Sequence, residues 1–252
     1  MITRFLVWVF LKSSSMAANP YFRFKQFTVW HDKCAMKVGT DSVLLGAWCE
    51  LPQAARVLDI GAGTGLLSLM MAQRGAHKVD AVEINPYAAL QARENVLNSR
   101  WSGEITVYNQ PLQMFETQNS GYDVILTNPP FFHESFLPST DARAQARHST
   151  QLPLAALLTA VANLLNSKGL FHIVLPAEQM LLFLEKAATH HLYLNGCLYV
   201  HPRPESPANR VLMTLSYTKK KPGADKLSIR QSRSNDYHKA YLDLTREFYL
   251  YA

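Results

Sequence analysis

Cysteine is scarce in this chain: three among 252 residues, Cys34, Cys49 and Cys197, widely separated and without CxxC spacing. An odd, scattered trio excludes a disulfide framework. The nine histidines add no ligand spacing either, so no metal site is expected. The cysteines read as small core residues in a reducing compartment. Long apolar runs are also lacking. Phe5–Leu11 follows Arg4 and superficially resembles a secretory signal, but it falls far short of the roughly 20 residues needed to cross a bilayer. Met16 opens a more ordinary segment, so residues 1–18 are expected to be an extension, the first fifteen arising from an upstream start. No internal repeat, low-complexity tract or collagen-like composition is present, which excludes solenoid, fibrous and disordered classes.

What remains is a length and an apolar share, 48%, that can bury a core without staples. One domain over residues 19–252 is expected: an N-terminal cap at 19–50, a core at 51–218 and a basic tail at 219–252. The net charge of +6 is uneven, since residues 201–252 hold ten Lys/Arg against five Asp/Glu. That asymmetry points to an anionic partner near the C-terminal part, nucleic acid being the commonest, although a solvated basic surface would look the same.

From residue 56 onward, short β-branched runs alternate with helical stretches, the pattern of a doubly wound α/β sheet. Strands are predicted at Val57–Ile60, Val79–Ile84, Glu104–Val107, Tyr122–Thr127 and Leu170–Leu175. Helices are predicted up to about Arg74, from Pro86 to about Asn98, over Leu154–Leu165 with a cap at Lys168-Gly169, and over Gln179–His190. Asn85 is suited to cap the helix that Pro86 begins. Two more strands, near Leu194–Val200 and Arg210–Thr218, flank a proline-rich connection too short for a helical crossover, so they pair antiparallel. The tail offers a short strand at Leu227–Ile229 and a helical pattern over Asp236–Tyr249. Residues 20–39 look like strand segments, followed by a helix at Ser42–Glu50 capped by Thr40 or Asp41, the whole forming a small lid over the first core strand.

Two motifs carry chemistry. Val57–Leu66 is a strand running into Gly61, Gly63 and Gly65 and then a helix, a turn that lets backbone approach a nucleotide-like ligand. The dinucleotide fingerprint would place its third glycine at position 66, which is Leu66. Glu83 follows at the end of the second strand, where an acceptor for two ribose hydroxyls is needed. The second motif is Asn128-Pro129-Pro130-Phe131 after the fourth strand. An exocyclic aromatic amine is a weak nucleophile because its lone pair is delocalised. The Asn128 side-chain oxygen and the Pro129 carbonyl can accept its protons, Pro130 stiffens the turn, and Phe131 offers a stacking face.

The glycine spacing with Glu83 resembles motif I of the class I S-adenosylmethionine-dependent methyltransferases, and Asn-Pro-Pro-Phe resembles motif IV of amino-group methyltransferases. Over nearly the whole chain from Tyr21, the segment Lys37–Trp48, the Asn128 turn, Ala146-Arg147-His148 and Arg210 resemble the bacterial valine-tRNA adenine-N6 methyltransferases. The resemblance implies a Rossmann-like seven-stranded sheet with an antiparallel last strand, S-adenosylmethionine as cofactor, tRNA as partner, a cytoplasmic location and no membrane. It implies a cofactor cradle of Lys37, Thr40, Asp41, Asp59, Gly61, Gly63, Gly65, Glu83 and Asn128. Many relatives carry an acidic residue after the third strand; here Gln110 stands in its place. Arg143, Arg147, His148, Arg210, Lys219, Lys220 and Lys221 are the implied RNA contacts, with Arg230 and Arg233 extending the basic track.

Related chemistry serves other acceptors: the side-chain amide of glutamine in release factors, or bases of ribosomal RNA. The release-factor enzymes carry an added N-terminal helical domain that residues 1–50 are too short to supply. A non-catalytic RNA-binding module is a further alternative, against which both motifs stand intact.

Overall fold

The computed structural model describes residues 19–34, 37–116, 121–130 and 152–250. A hairpin of β1 (Tyr21–Arg23) and β2 (Thr28–Trp30) precedes α1 (Thr40–Trp48). Then follow β3 (Arg56–Ile60), α2 (Leu66–Gln73), β4 (Lys78–Glu83), α3 (Pro86–Leu97), β5 (Ile105–Asn109) and β6 (Tyr122–Thr127). After the segment 131–151 come α4 (Leu154–Leu164), β7 (Leu165–Pro176), α5 (Met180–Ala188), β8 (Tyr193–His201), β9 (Arg210–Ser216), β10 (Gly223–Ser228) and α6 (Lys239–Thr245).

The main sheet has the order β10-β8-β9-β7-β6-β3-β4-β5. All neighbours are parallel except at β9, which runs antiparallel to both β7 and β8. The winding reverses between β3 and β6, and in such sheets ligands bind in the crevice beyond the strand carboxyl ends at that point. Alternate residues of each strand feed two apolar layers. Val57, Val124 and Leu126 face α1, α2 and α6, while Leu58, Ile60 and Ile125 face α4 and α5. Seven of the eight residues of α2 are buried, so this helix is held by packing and not by amphipathic patterning. Asn85 does cap α3, accepting from the Tyr87 and Ala88 amides at 2.9 and 3.1 Å, with Pro86 at the first helical position.

Several expectations change. The sheet has eight strands, not seven, because β10 pairs with β8 at the edge. Its residues Gly223–Lys226 are all exposed and show no alternation, so only Leu227 betrayed it in the sequence. Thr40 and Asp41 lie inside the first turn of α1; Gly39 is the cap residue and no side chain caps it. Lys168-Gly169 does not end a helix but lies within β7. A Cβ on Gly169 would come within 2.6 Å of Leu165 and 2.9 Å of the Tyr122 carbonyl, so close packing explains that glycine.

Of the N-terminal cap, α1 shares an apolar layer with Val57 of β3, and the hairpin is anchored beside it. Phe24 stacks on Phe27 and Tyr249 with ring centroids 4.7 and 5.9 Å apart, and the Trp30 backbone bonds to Asn95 of α3. Residues 219–252, expected as the basic tail of the domain, pack into it: β10 joins the sheet, and Tyr241 and Phe248 are buried in the same apolar layer as α1 and α2. The helical pattern expected at Asp236–Tyr249 is realised only as α6, Lys239–Thr245. The expected extension at residues 1–18 lies outside the described residues.

Candidate active site

Beyond the carboxyl ends of β3 and β6 lies a cleft of about 430 Å³, lined by residues 37–42, 61–64, Leu66, Leu67 and 128–130. The two motifs therefore meet in one crevice. Thr127 fastens their strand ends together, its hydroxyl donating to the Ile60 carbonyl at 2.8 Å. On the glycine side, the Gly61 and Ala62 amides donate to the Val82 carbonyl at 2.8 and 3.1 Å, folding the turn back over β4. Gly61 and Gly63 take φ of 71° and 55°, and a Cβ on either would meet no atom within 4 Å, so bare backbone faces open space. Gly65, at φ 79°, instead packs against α3: a Cβ there would lie 3.3 Å from the Ala92 side chain.

Glu83 is nearly buried at the end of β4. Its two carboxylate oxygens accept from the Gly63 and Asn85 amides, both at 2.8 Å, which ties the turn to the α3 cap. Asp59 is wholly buried, and one of its oxygens accepts from the Ser68 amide at 3.0 Å and the Ser68 hydroxyl at 2.6 Å. Its other oxygen, Oδ1, is buried without a partner among the described residues. Burial pushes the Asp59 carboxyl up to about 7, the Ser68 bonds opposing the rise and the Glu83 charge adding to it.

On the acceptor side, the Asn128 amide nitrogen donates to the Ser42 hydroxyl at 2.8 Å. That bond fixes the carboxamide about its axis and directs its oxygen away from α1. Asp41 accepts from Arg210 Nε at 2.8 Å, so the start of β9 is clipped to the first turn of α1 at the cleft wall. Lys37 and Thr40 are exposed at the same wall.

The sequence-derived candidates divide accordingly. Lys37, Thr40, Asp41, Gly61, Gly63, Asn128, Pro129 and Pro130 line the cleft, and Glu83 and Asp59 stand behind the turn. Gln110 is not among the lining residues; its side chain donates to the Met114 carbonyl at 3.2 Å. Its neighbour Asn109 is the residue that touches the cradle, donating to the Glu83 and Ile84 carbonyls at 2.9 and 3.1 Å. Phe131, Arg143, Arg147 and His148 lie outside the described residues.

Lys219, Lys220 and Lys221 do not join the cleft. Because β9 runs opposite to β6, its end leads to the amino-terminal edge of the parallel strands, where Lys219 sits 4.5 Å over the Tyr193 ring at the start of β8. At about 3.3 Å per residue, that is roughly 20 Å from the level of Thr127.

Three residues were missed from sequence. Ser42 orients Asn128, but a serine inside a helix carries no signal of that. Ser68 serves Asp59 in the same inconspicuous way. Asn95, 1% exposed, accepts from the Trp30 amide and donates to the Trp30 and Thr64 carbonyls, each at 2.9 Å. A carboxamide among Ala88, Ala89, Ala92 and Val96 on the buried face of α3 was a readable clue.

Nothing here resembles nucleophilic catalysis by cysteine. Burial, with Glu83 and Asp32 nearby, pushes the Cys34 thiol up to about 11, far from the thiolate form.

Comparison with known proteins places the chain in a family. Residues 34–184 match the family model described as the methyltransferase small domain. A tRNA1(Val) (adenine(37)-N6)-methyltransferase of Bacteroides fragilis is 44% identical over 235 residues, covering 92% of this chain and 99% of that protein. A protein of the same name from Pectobacterium carotovorum is 43% identical over 233 residues, 91% of this chain and 94% of that one. Among solved structures, a predicted O-methyltransferase of Agrobacterium tumefaciens aligns with a TM-score of 0.64 at 17% identity, over 82% of this chain and 96% of that one. At that identity the likeness speaks to the fold alone.

Proposed function

Because the chain belongs to the tRNA1(Val) (adenine(37)-N6)-methyltransferases, within the methyltransferase small-domain family, we infer that it transfers a methyl group to the N6 amine of an adenine in tRNA, with S-adenosylmethionine as donor. By the names of its relatives, the target is adenine 37 of a valine tRNA. The observation that carries the mechanism is that the glycine turn and the Asn128 turn share one cleft, with Thr127 holding the two strand ends together.

The residues present suit the cofactor. Gly61 and Gly63 leave backbone open to it, Glu83 supplies acceptors at the end of β4, and Asp59 Oδ1, without a partner among the described residues, leaves a polar group behind the turn. Lys37, before α1, and Thr40 and Asp41, in its first turn, would border it, and Asn109, ending β5, is the residue that bonds to the Glu83 and Ile84 carbonyls, where Gln110 was expected to face the cofactor's adenine. S-adenosylmethionine, when bound, supplies an electrophilic methyl on a leaving group that needs no further activation.

The protein's work is then to orient the amine and exclude water. Asn128 offers its side-chain oxygen, because the amide nitrogen is already committed to Ser42. The Pro129 carbonyl is the second acceptor, and two acceptors on one amine draw its lone pair out of conjugation with the ring and localise it on nitrogen. Phe131 follows directly in the chain and is assigned the stacking role under the extracted base. Arg143, Arg147 and His148 are assigned to phosphates beside that base. Among the described residues, no helix is long and apolar enough to cross a membrane; the substrate assigns the reaction to the cytoplasm.

Labelled-methyl transfer into total tRNA, ribosomes and release factors, followed by nucleoside mass spectrometry, tests the assignment. Label is expected as N6-methyladenosine in valine tRNA. Label confined to protein or ribosomal RNA refutes it.

A further inference from the structure

β8 and β10 point the same way as β3 and β6, so their carboxyl ends open on the edge of the sheet that holds the cleft. Two loops leave that edge, residues 202–209 and 229–238, and they are laced together. The Ile229 and Arg230 amides donate to the His201 and Pro202 carbonyls at 2.9 and 3.0 Å, and the Gln231 amide donates to the Asp236 carbonyl at 3.0 Å. Arg203 is the staple: it donates to the Gln231 and Ser234 carbonyls at 2.5 and 2.7 Å and to Asn235 Oδ1 at 2.9 Å. Arg230 donates to the Asn235 carbonyl and stacks 4.1 Å over the Tyr237 ring. Arg233 is exposed beside a surface depression between the two loops.

Every acceptor of Arg203 and Arg230 is neutral, and none of the three arginines has a carboxylate partner among the described residues. The acidic groups in these loops are Glu205 and Asp236, and Asp236 accepts from the Ser234 hydroxyl. Three uncompensated charges thus sit on a rigid frame. Rigidity matters, because a preorganised cationic surface binds a polyanion without first paying to order its loops.

The geometry points to this laced loop pair as the surface that grips the tRNA phosphodiester backbone, at a distance from the target adenine. This rests on the tRNA reading above. β8 is three strand spacings from β6, so at about 4.8 Å per spacing the arginines stand roughly 14 Å or more along the sheet from Asn128. That reaches past the target nucleotide to phosphates flanking it. The three consecutive lysines at 219–221 carry more charge but stand on the opposite edge of the sheet, and they take no part in productive binding.

The test compares the full-length wild type with Arg233→Gln, the double variant Arg230→Gln/Arg233→Gln, and the far-edge variant Lys219→Gln/Lys220→Gln/Lys221→Gln. The readouts are steady-state tRNA methylation, tRNA binding across a salt series and S-adenosylhomocysteine affinity. The double variant should raise KM for tRNA by roughly tenfold, with kcat and S-adenosylhomocysteine affinity unchanged, and flatten log Kd against log salt by about 0.7–0.9 for each phosphate it no longer neutralises. Arg233→Gln leaves the lacing of the two loops intact and should show part of the same effect with an unchanged Tm. The lysine variant should change KM less than twofold. Wild-type KM in the double variant, or an equal loss in the lysine variant, overturns the assignment while leaving the tRNA reading intact. A wild-type chain that leaves tRNA unlabelled defeats both.

Discussion

Two buried ionisable groups should make opposing contributions to the pH dependence of stability across mildly acidic pH, and single substitutions should tilt the profile in opposite directions. His172 of β7 is wholly buried, with Nε2 3.1 Å from the Glu50 carbonyl and Nδ1 3.0 Å from the Thr214 hydroxyl. Burial pulls its imidazole down to about 3 from an ordinary 6.5. Between those values the unfolded chain binds a proton that the folded chain refuses, so this group makes stability rise with pH. Asp59 acts oppositely. Its carboxyl is pushed up to about 7 from 3.8, so over that interval the folded chain keeps a proton the unfolded chain has released, and stability falls as pH rises. Each slope approaches about 1.4 kcal/mol per pH unit, and they cancel between roughly pH 4 and 6.5.

Urea unfolding of the cofactor-free protein at pH 4.5 and 6 checks this. Asp59→Asn leaves the histidine slope exposed, and stability should rise by about 2 kcal/mol between those pH values, or roughly 4–8 °C in Tm. His172→Gln leaves the carboxyl slope, and stability should fall by a similar amount. The substitutions also shift the absolute stability, but the reading depends on slopes alone. Variant profiles parallel to wild type would refute the reasoning.

Two further outcomes follow from the cleft. Asn128→Ala should lower kcat by roughly 10²–10³, the scale for losing one oriented hydrogen-bonding group at a reacting centre, a larger effect than its effect on S-adenosylhomocysteine affinity by calorimetry; wild-type turnover would remove Asn128 from its role. Gly63→Ala forces a left-handed backbone costing about 1–2 kcal/mol and puts a methyl group toward the cleft, so calorimetry should find cofactor-product affinity down at least tenfold. Unchanged affinity would show that the turn does not face the cofactor.

The legible parts of this protein were those whose cause is local. The glycine turn, Glu83 at a strand end, the Asn85-Pro86 cap and the Asn128 turn each declare themselves within about ten residues. The doubly wound order follows from alternation of strand and helix. The illegible parts join distant segments. Ser42 meets Asn128 across 86 residues, and nothing in the composition of α1 marks it. The far-edge position of Lys219–Lys221 depends on the direction of β9, which a run of charge does not encode. Asp41 looked like a cap because acidic residues favour helix starts, yet it is held by Arg210 from the other end of the chain. β10 was under-read because an exposed edge strand needs no apolar alternation.

Asn95 couples the hairpin mechanically to the glycine turn. One buried side chain is the pin through both the Trp30 backbone and the Thr64 carbonyl of the glycine turn. Neither can slide without stranding a buried polar group, which is costly. A load applied at the hairpin is therefore felt at the glycine turn of the cleft, though no hairpin residue from 21 to 30 borders the cleft.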